Sequence, residues 1–217
     1  MIKEYSTYIF DLDGTLLSTL NDLTLSTNYT MRTFHFPEYS VDEVRNFVGN
    51  GIPKLIERAI PNGINNPHYT DAYQKFIEYY LEHKLDTTVP YVGIDPMLQV
   101  LKSHNKKIAI VSNKYCVATE TLCKHFFSKY IHVAIGESAN VRKKPAPDTV
   151  LEAVKRLNTT LDDAVYIGDS EVDIETAKNC GIPCVSVLWG FKDKDFLIKH
   201  GAETLISNPM QLVECIN

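Results

Sequence analysis

The sequence predicts an α/β protein: a doubly wound, mostly parallel sheet with an all-helical segment inserted after its first strand. Three observations predict this. Short apolar runs alternate with segments of helical period, the pattern of a parallel sheet covered by helices. Each of the first five runs ends in glycine or polar residues, DLDG, SNK, GES, GDS and WG. Residues 19–85 break the alternation, because they read as helical throughout. At 217 residues the chain can form one large domain, or a domain carrying a smaller insert.

The first predicted strand is Tyr5–Phe10, and it runs straight into Asp11-Leu12-Asp13-Gly14. Buried carboxylates without partners are costly, so two acids at the end of an apolar strand ask for an explanation. Helices follow. Leu20, Leu23, Met31 and Phe34 form a helical stripe, and Ser40-Val41-Asp42-Glu43 is a capping box ahead of Val44 and Phe47. PNGINNP (61–67) is a loop by composition. Tyr73, Phe76, Ile77, Tyr80 and Leu81 then recur at helical spacing, which reads as core packing. The stretch LDTTVPYVG leads back to the sheet. The expected division is a core domain of residues 1–16 and 86–217 and a helical domain of residues 17–85.

The later strands are expected at Lys107–Val111, His132–Gly136, Ala164–Ile167 and Pro183–Leu188, with a weaker one at Thr204–Ile206. Asp95-Pro96 and Asn208-Pro209 read as capping residues before a proline in the first helical position. Gly181 reads as the stop of a helix over Glu171–Cys180.

Composition narrows the function. Net charge is −5, from 27 acids and 22 bases, which argues against nucleic acid as the main partner because a phosphate-tracking surface is basic. Five cysteines (116, 123, 180, 184 and 215) form no CxxC pair and are expected as reduced thiols. MIKEYSTYIF shows no long apolar h-region and no small-residue cleavage site, so no secretory leader is expected. No stretch approaches the run of about 18 apolar residues of a membrane span. The expectation is a soluble, cytoplasmic protein with no membrane partner, a monomer or weak homodimer.

In open α/β sheets, ligands bind outside the carboxyl ends of the strands. Those ends supply Asp11, Asp13, Gly14 and Thr15, then Ser112, Asn113 and Lys114. Lys144 follows within KKPAP, and Asp169 and Asp173 within GDSEVD. If the strand ends converge, four carboxylates crowd together, and two like charges about 4 Å apart repel by roughly 4 kcal/mol at an effective dielectric near 20. Lys144 offsets only part of this. A divalent cation removes the problem, and oxygen ligands of this kind suit magnesium, not zinc. Carboxylates, a hydroxyl, amides at a helix N-terminus and a lysine make a receptor for a phosphoryl group. One aspartate can attack phosphorus, and the other can act as acid and then base if an anionic neighbour raises its pKa. DxDG alone is an ordinary turn more often than a site. It is the four stretches in this order, each after a predicted strand, that carry the reading.

This combination resembles the haloacid dehalogenase superfamily, on DLDGT (11–15), Ser112, Lys144 and GDSEVD (168–173). FVGNGIPKLIERAI, YVGIDPMLQVL, IVSNK and YIGDSEVDIETAKNCGIP make it similar to the phosphoglycolate phosphatase-like group. The resemblance implies a Rossmann-like core with a mobile helical cap, Mg2+ as cofactor and an aspartyl-phosphate intermediate. It implies Asp11 as nucleophile and metal ligand, and Asp13 as acid/base with its carbonyl on the metal. Ser112 and the Asn113 amide would hold phosphoryl oxygens, with Gly14 and Thr15 beside them, and Lys144 would balance charge. Asp169 would ligate the metal, with Asp173 in or next to that shell.

In the cap, GNGIPK (49–54) offers Asn50, Gly51 and Lys54 as substrate contacts, or equally a plain helix–helix turn; Arg45 and His83 are weaker candidates. Ser18 and Val92 stand where the family often has an acid and a proline, and Ser112 where it often has threonine. The expected substrate is a small phosphorylated metabolite, 2-phosphoglycolate first. A β-phosphoglucomutase-like sugar-phosphate mutase shares the motifs but commonly has valine at the position of Thr15. A pyrophosphatase or nucleotidase of the same superfamily stays open. Asp13 speaks against a dehalogenase. A receiver-like phospho-acceptor module, the non-enzyme reading, would need an adjacent acidic pair and a different motif order.

Overall fold

In chain order the elements are β1 (Thr7–Phe10), β2 (Leu17–Ser18), α1 (Leu20–Thr33), α2 (Val41–Phe47), α3 (Ile52–Ala59), α4 (Tyr69–His83) and β3 (Val89–Pro90). Then come α5 (Ile94–Ser103), β4 (Lys107–Tyr115), α6 (Cys116–Phe127), β5 (Val133–Glu137) and α7 (Asp148–Leu157). The chain ends with β6 (Ala164–Gly168), α8 (Glu171–Cys180), β7 (Cys184–Val187), α9 (Lys194–Lys199) and β8 (Thr204–Ile206). This computed structural model describes residues 2–139 and 141–216. It divides into two units, Met1–Leu17 with Pro90–Asn217, and Ser18–Val89.

The first unit holds a six-stranded sheet in the order β5-β4-β1-β6-β7-β8, and its pairings are parallel. β1 lies at its centre and is buried along its whole length. That is why its apolar run is continuous and not alternating. Strand alternation divides the core between the two faces. Tyr8, Phe10, Ile108, Ile110, Val165 and Ile167 pack with α5 and α6 residues on one face. Ile9, Ala109, Val111 and Tyr166 pack with α7 residues and Ala177 of α8 on the other. From β1 the later strands spread to both sides, so the carboxyl end of β1 is the switch point where such sheets bind ligands. In register, Phe10 lies beside Ile110 and Ile167.

The second unit packs α1 against α2 and α4, and α3 against α2 and α4. Leu23, Met31, Val44, Leu55, Ile56, Phe76 and Tyr80 are buried. The capping box is present: Glu43 N donates to Ser40 Oγ, and Ser40 N donates to the Glu43 carboxylate. PNGINNP holds a short 3-10 turn at Gly63–Asn65. Asp22 of α1 is buried and accepts hydrogen bonds from Thr87 N (2.9 Å) and Thr88 N (2.9 Å), which ties the outgoing segment to this unit.

Two local details differ from the sequence reading. Asp95 lies inside the first turn of α5, whose cap is Gly93, and its carboxylate accepts from Tyr130 Oη at 2.9 Å. The units part at residues 17/18 and 89/90, against the expected 16/17 and 85/86. All five cysteines are free thiols. No helix among the described residues is long and apolar enough to cross a membrane.

Candidate active site

The residue after β1 is Asp11, whose amide donates to Ile167 O at 2.9 Å. That bond continues the β1–β6 ladder by one step and holds the Asp11 backbone at the sheet's carboxyl edge. Lys144 comes from the loop before α7. Its ammonium lies 2.8 Å from Asp11 Oδ1 and 2.7 Å from Asp173 Oδ1, and it donates to Tyr166 Oη at 3.0 Å. The Lys144 backbone is fixed as well, because its N donates to Asn113 Oδ1 (2.8 Å) and its O accepts from Asn113 Nδ2 (3.0 Å). Burial alone would pull the Lys144 ammonium down. The Asp11 and Asp173 carboxylates outweigh it and hold the group above its usual value.

Asp173 is fully engaged by protein donors. Its Oδ1 accepts from Lys144 and from Tyr166 Oη (3.1 Å). Its Oδ2 accepts from Asp169 N (3.2 Å), Ser170 N (3.1 Å) and Ser170 Oγ (2.6 Å). The i+3 spacing of Ser170 and Asp173 makes this a capping box that closes α8 onto the strand end.

Asp169 sits in a tight backbone cradle. Its Oδ2 accepts from Phe191 N at 2.7 Å, and its Oδ1 from Thr15 Oγ1 at 3.3 Å. A Cβ at Gly14 would fall 2.4 Å from Asp169 Oδ2, and one at Gly190 would fall 2.3 Å from Asp169 Cβ and 2.5 Å from Gly14 O. Only glycine fits at either place, and Gly14 also has φ at +82°. Trp189 Nε1 donates to Thr15 O at 2.9 Å, tying this loop to the first motif.

The second aspartate of the first motif has its own lysine. Lys114 Nζ donates to both Asp13 oxygens, at 2.9 and 3.1 Å. Ser112 lies beside it, buried, with Oγ accepting from Lys114 N at 3.2 Å.

Asp11, Asp169 and Asp173 each bring one carboxylate oxygen to within 4.8 Å of the others, all buried. Burial first, and then the neighbouring carboxylates, raise Asp11 to about 7 and push Asp169 well above the usual range. With all four carboxylates ionised, the ammoniums of Lys114 and Lys144 would leave two negative charges in excess. A buried all-oxygen set with that deficit fits one divalent, hard cation such as Mg2+. Asp11 and Asp169 would hold it directly, and Asp173, saturated by five donors, would stand behind them.

The structure therefore brings together Asp11, Asp13, Gly14, Thr15, Ser112, Asn113, Lys144, Asp169 and Asp173. One expectation shifts in detail. The neighbour on the Asp13 carboxylate is the cation Lys114, where the sequence reading called for an anion. The Asn113 side chain is spent on the Lys144 backbone. Sequence reasoning placed Lys114 among the strand-end residues without giving it a role, and did not single out Tyr166 or Gly190. Lys114 had a signal, its place directly after Ser112-Asn113, whereas Tyr166 reads as ordinary strand core.

In the second unit, Asn50 and Gly51 form the turn into α3, with Asn50 Oδ1 accepting from Arg58 Nη2 at 2.7 Å. Lys54 is ion-paired with Glu57 of its own helix at 2.7 Å, and both are partly exposed.

Residues 8–187 match the family model of the haloacid dehalogenase-like hydrolases. A phosphoglycolate phosphatase of Aquifex aeolicus is 31% identical over 214 residues, covering 96% of this chain and 95% of that one. A phosphoglycolate phosphatase of Nitrosococcus oceani is 28% identical, covering 100% and 95%. Among solved structures, a Lactobacillus delbrueckii subsp. bulgaricus protein provisionally named phosphoglycolate phosphatase superposes with a TM-score of 0.94 at 34% identity, covering 99% of each chain.

Proposed function

Since this chain belongs to the haloacid dehalogenase-like hydrolases, we propose that it is a magnesium-dependent phosphatase acting on a small phosphomonoester through an aspartyl-phosphate. The observation that carries the reading is Lys144 bridging Asp11 and Asp173 at 2.8 and 2.7 Å, at the switch point of the sheet. A phosphoryl group bound there meets a carboxylate nucleophile, an ammonium and the Ser112 hydroxyl at once.

Asp11 supplies the oxygen that attacks phosphorus. As that bond forms, the ester P–O bond breaks and the leaving oxygen takes a proton from Asp13. Water then attacks phosphorus as the bond from Asp11 to phosphorus breaks, Asp13 takes a proton from that water, and inorganic phosphate leaves. Lys144 holds the Asp11 oxygen in place and offsets charge on the phosphoryl oxygens. Ser112 Oγ and the Asn113 amide donate to those oxygens. Mg2+, when bound by Asp11 and Asp169, supplies the positive charge that lets an anionic substrate enter an anionic site. The names of the relatives make 2-phosphoglycolate the first substrate to try. Cytoplasmic placement agrees with the five reduced cysteines.

The test is release of inorganic phosphate from a panel of phosphorylated metabolites with Mg2+ present. The reading expects turnover of 2-phosphoglycolate above that of nucleotides. A nucleotide preference would overturn the substrate class, and no phosphate release from any monoester would overturn the reaction.

A further inference from the structure

Lys114 stands at the end of β4, where the pairing with β5 shifts register between Val111 and Tyr115. That irregularity carries residues 112–114 out of the regular ladder and aims Lys114 at the loop after β1. Its side chain is 3% exposed and that of Asp13 is 15% exposed. The ammonium touches both carboxylate oxygens, at 2.9 and 3.1 Å. Such a contact fixes the plane of the carboxylate, which a single hydrogen bond would leave free to rotate. A buried ion pair adds little net stability compared with apolar packing, so stability is a poor reason for a lysine at this place. In the other half of the site Lys144 lies 2.8 Å from one oxygen of Asp11, so each aspartate of the first motif has a lysine beside it.

We propose that Lys114 is a positioning residue that orients the Asp13 carboxylate for proton transfer to and from the reacting oxygens. The inference rests on the reading of Asp13 as proton shuttle in the preceding section. Proton transfer depends on geometry at the sub-ångström level. Asp13 follows Asp11 on a turning loop, and the Lys114 ammonium donates to both of its carboxylate oxygens. Lys114 ties that turn to the strand that also carries Ser112 and Asn113. The shuttle and the phosphoryl cradle are thus held by one short stretch of β4.

The test is kcat/KM of the Mg2+-loaded enzyme across monoesters, from alkyl phosphates, whose leaving groups need a proton, to nitrophenyl phosphates, whose leaving groups do not. For Lys114→Met the expected loss is at least about tenfold on alkyl phosphates and under about threefold on nitrophenyl phosphates. Asp13→Asn should show the same bias, and adding Lys114→Met to it should cost little more. Lys114→Arg keeps the charge but moves the donors. It should melt like the parent and show a weaker form of the bias, which carries the test if Lys114→Met folds poorly. Equal losses across the series, or losses confined to KM for anionic leaving groups, would overturn the inference. So would parental behaviour of both lysine variants. A flat series for Asp13→Asn would instead overturn the shuttle reading itself. A biased Asp13→Asn beside a flat Lys114→Met would overturn only the role given to Lys114.

Discussion

Removing one oxygen from the core, in Tyr166→Phe, tests whether the buried network is built as described. The Tyr166 hydroxyl accepts from Lys144 Nζ at 3.0 Å and donates to Asp173 Oδ1 at 3.1 Å. The ring is wholly buried, and phenylalanine fills the same space, so no cavity arises. What is lost is a hydrogen-bonding group with two charged partners, each of which keeps others. Lys144 retains Asp11 and Asp173, and Asp173 retains Lys144 and three further donors. Hydrogen bonds to charged groups contribute about 1.5–3 kcal/mol, and the retained partners place the expected loss near the lower end, about 2 kcal/mol. For a chain of this size that is a fall in melting temperature of about 4–8 °C. Lys144 can then settle away from Asp11, and kcat/KM should fall by about tenfold, or about 1.4 kcal/mol of transition-state stabilisation. Thermal melts in buffer with chelator and steady-state kinetics with Mg2+ measure the two effects separately. A variant that melts within about 1 °C of the parent and turns over at the parental rate would refute the network argument.

Three further outcomes follow from the site. Asp11→Asn should reduce turnover to background with unchanged circular dichroism, because the amide is isosteric but a poor nucleophile; activity within about tenfold of the parent would assign the nucleophile elsewhere. Gly190→Ala should displace Asp169, since its Cβ would fall 2.3 Å from Asp169 Cβ and 2.5 Å from Gly14 O. The expected cost is about 1–3 kcal/mol of stability and a loss of about tenfold or more in Mg2+ affinity by calorimetric titration. Finally, Asp11 is raised to about 7 in the metal-free protein, so the folded state binds more protons than the unfolded chain between the ordinary carboxylate range and neutrality. Metal-free stability therefore falls as pH rises through that window, and Mg2+, which displaces the proton, should raise the melting temperature more at about pH 7.5 than at about pH 5.5. An equal Mg2+-induced shift at both would contradict it.

Much of the fold can be read from the chain because local and global signals agree. Tyr8-Ile9-Phe10 is continuous because β1 is buried on both faces. The i, i+3, i+4 stripe of α4 places Phe76 and Tyr80 in the helical unit's interior. What escaped is what has no period. β2 and β3 are two residues each, too short for any alternation to register. Asp95 precedes a proline and so resembles a cap, yet Gly93, left-handed at φ +92°, starts the helix two residues earlier. Within the site, the acids and Lys144 were legible because strand ends followed by DxDG, KKPAP and GDSEVD have few apolar explanations. Lys114 stood among the strand-end residues, but its pairing with Asp13 required knowing that β4 loses register after Val111. Tyr166 required knowing which face of β6 meets Lys144. Gly190 required knowing that a Cβ there would fall 2.3 Å from Asp169 Cβ. None of these is encoded in spacing along the chain.

The claim that most of the account rests on is a covalent bond between phosphorus and Asp11. A rapid acid quench of enzyme, Mg2+ and substrate, followed by borohydride reduction and peptide mass spectrometry, reads it directly. An aspartyl-phosphate at residue 11 is reduced to homoserine at that position, and Asp11→Asn should give none. Homoserine at position 13, a phosphoryl group on Ser112, or turnover with no covalent adduct at any quench time would contradict the mechanism.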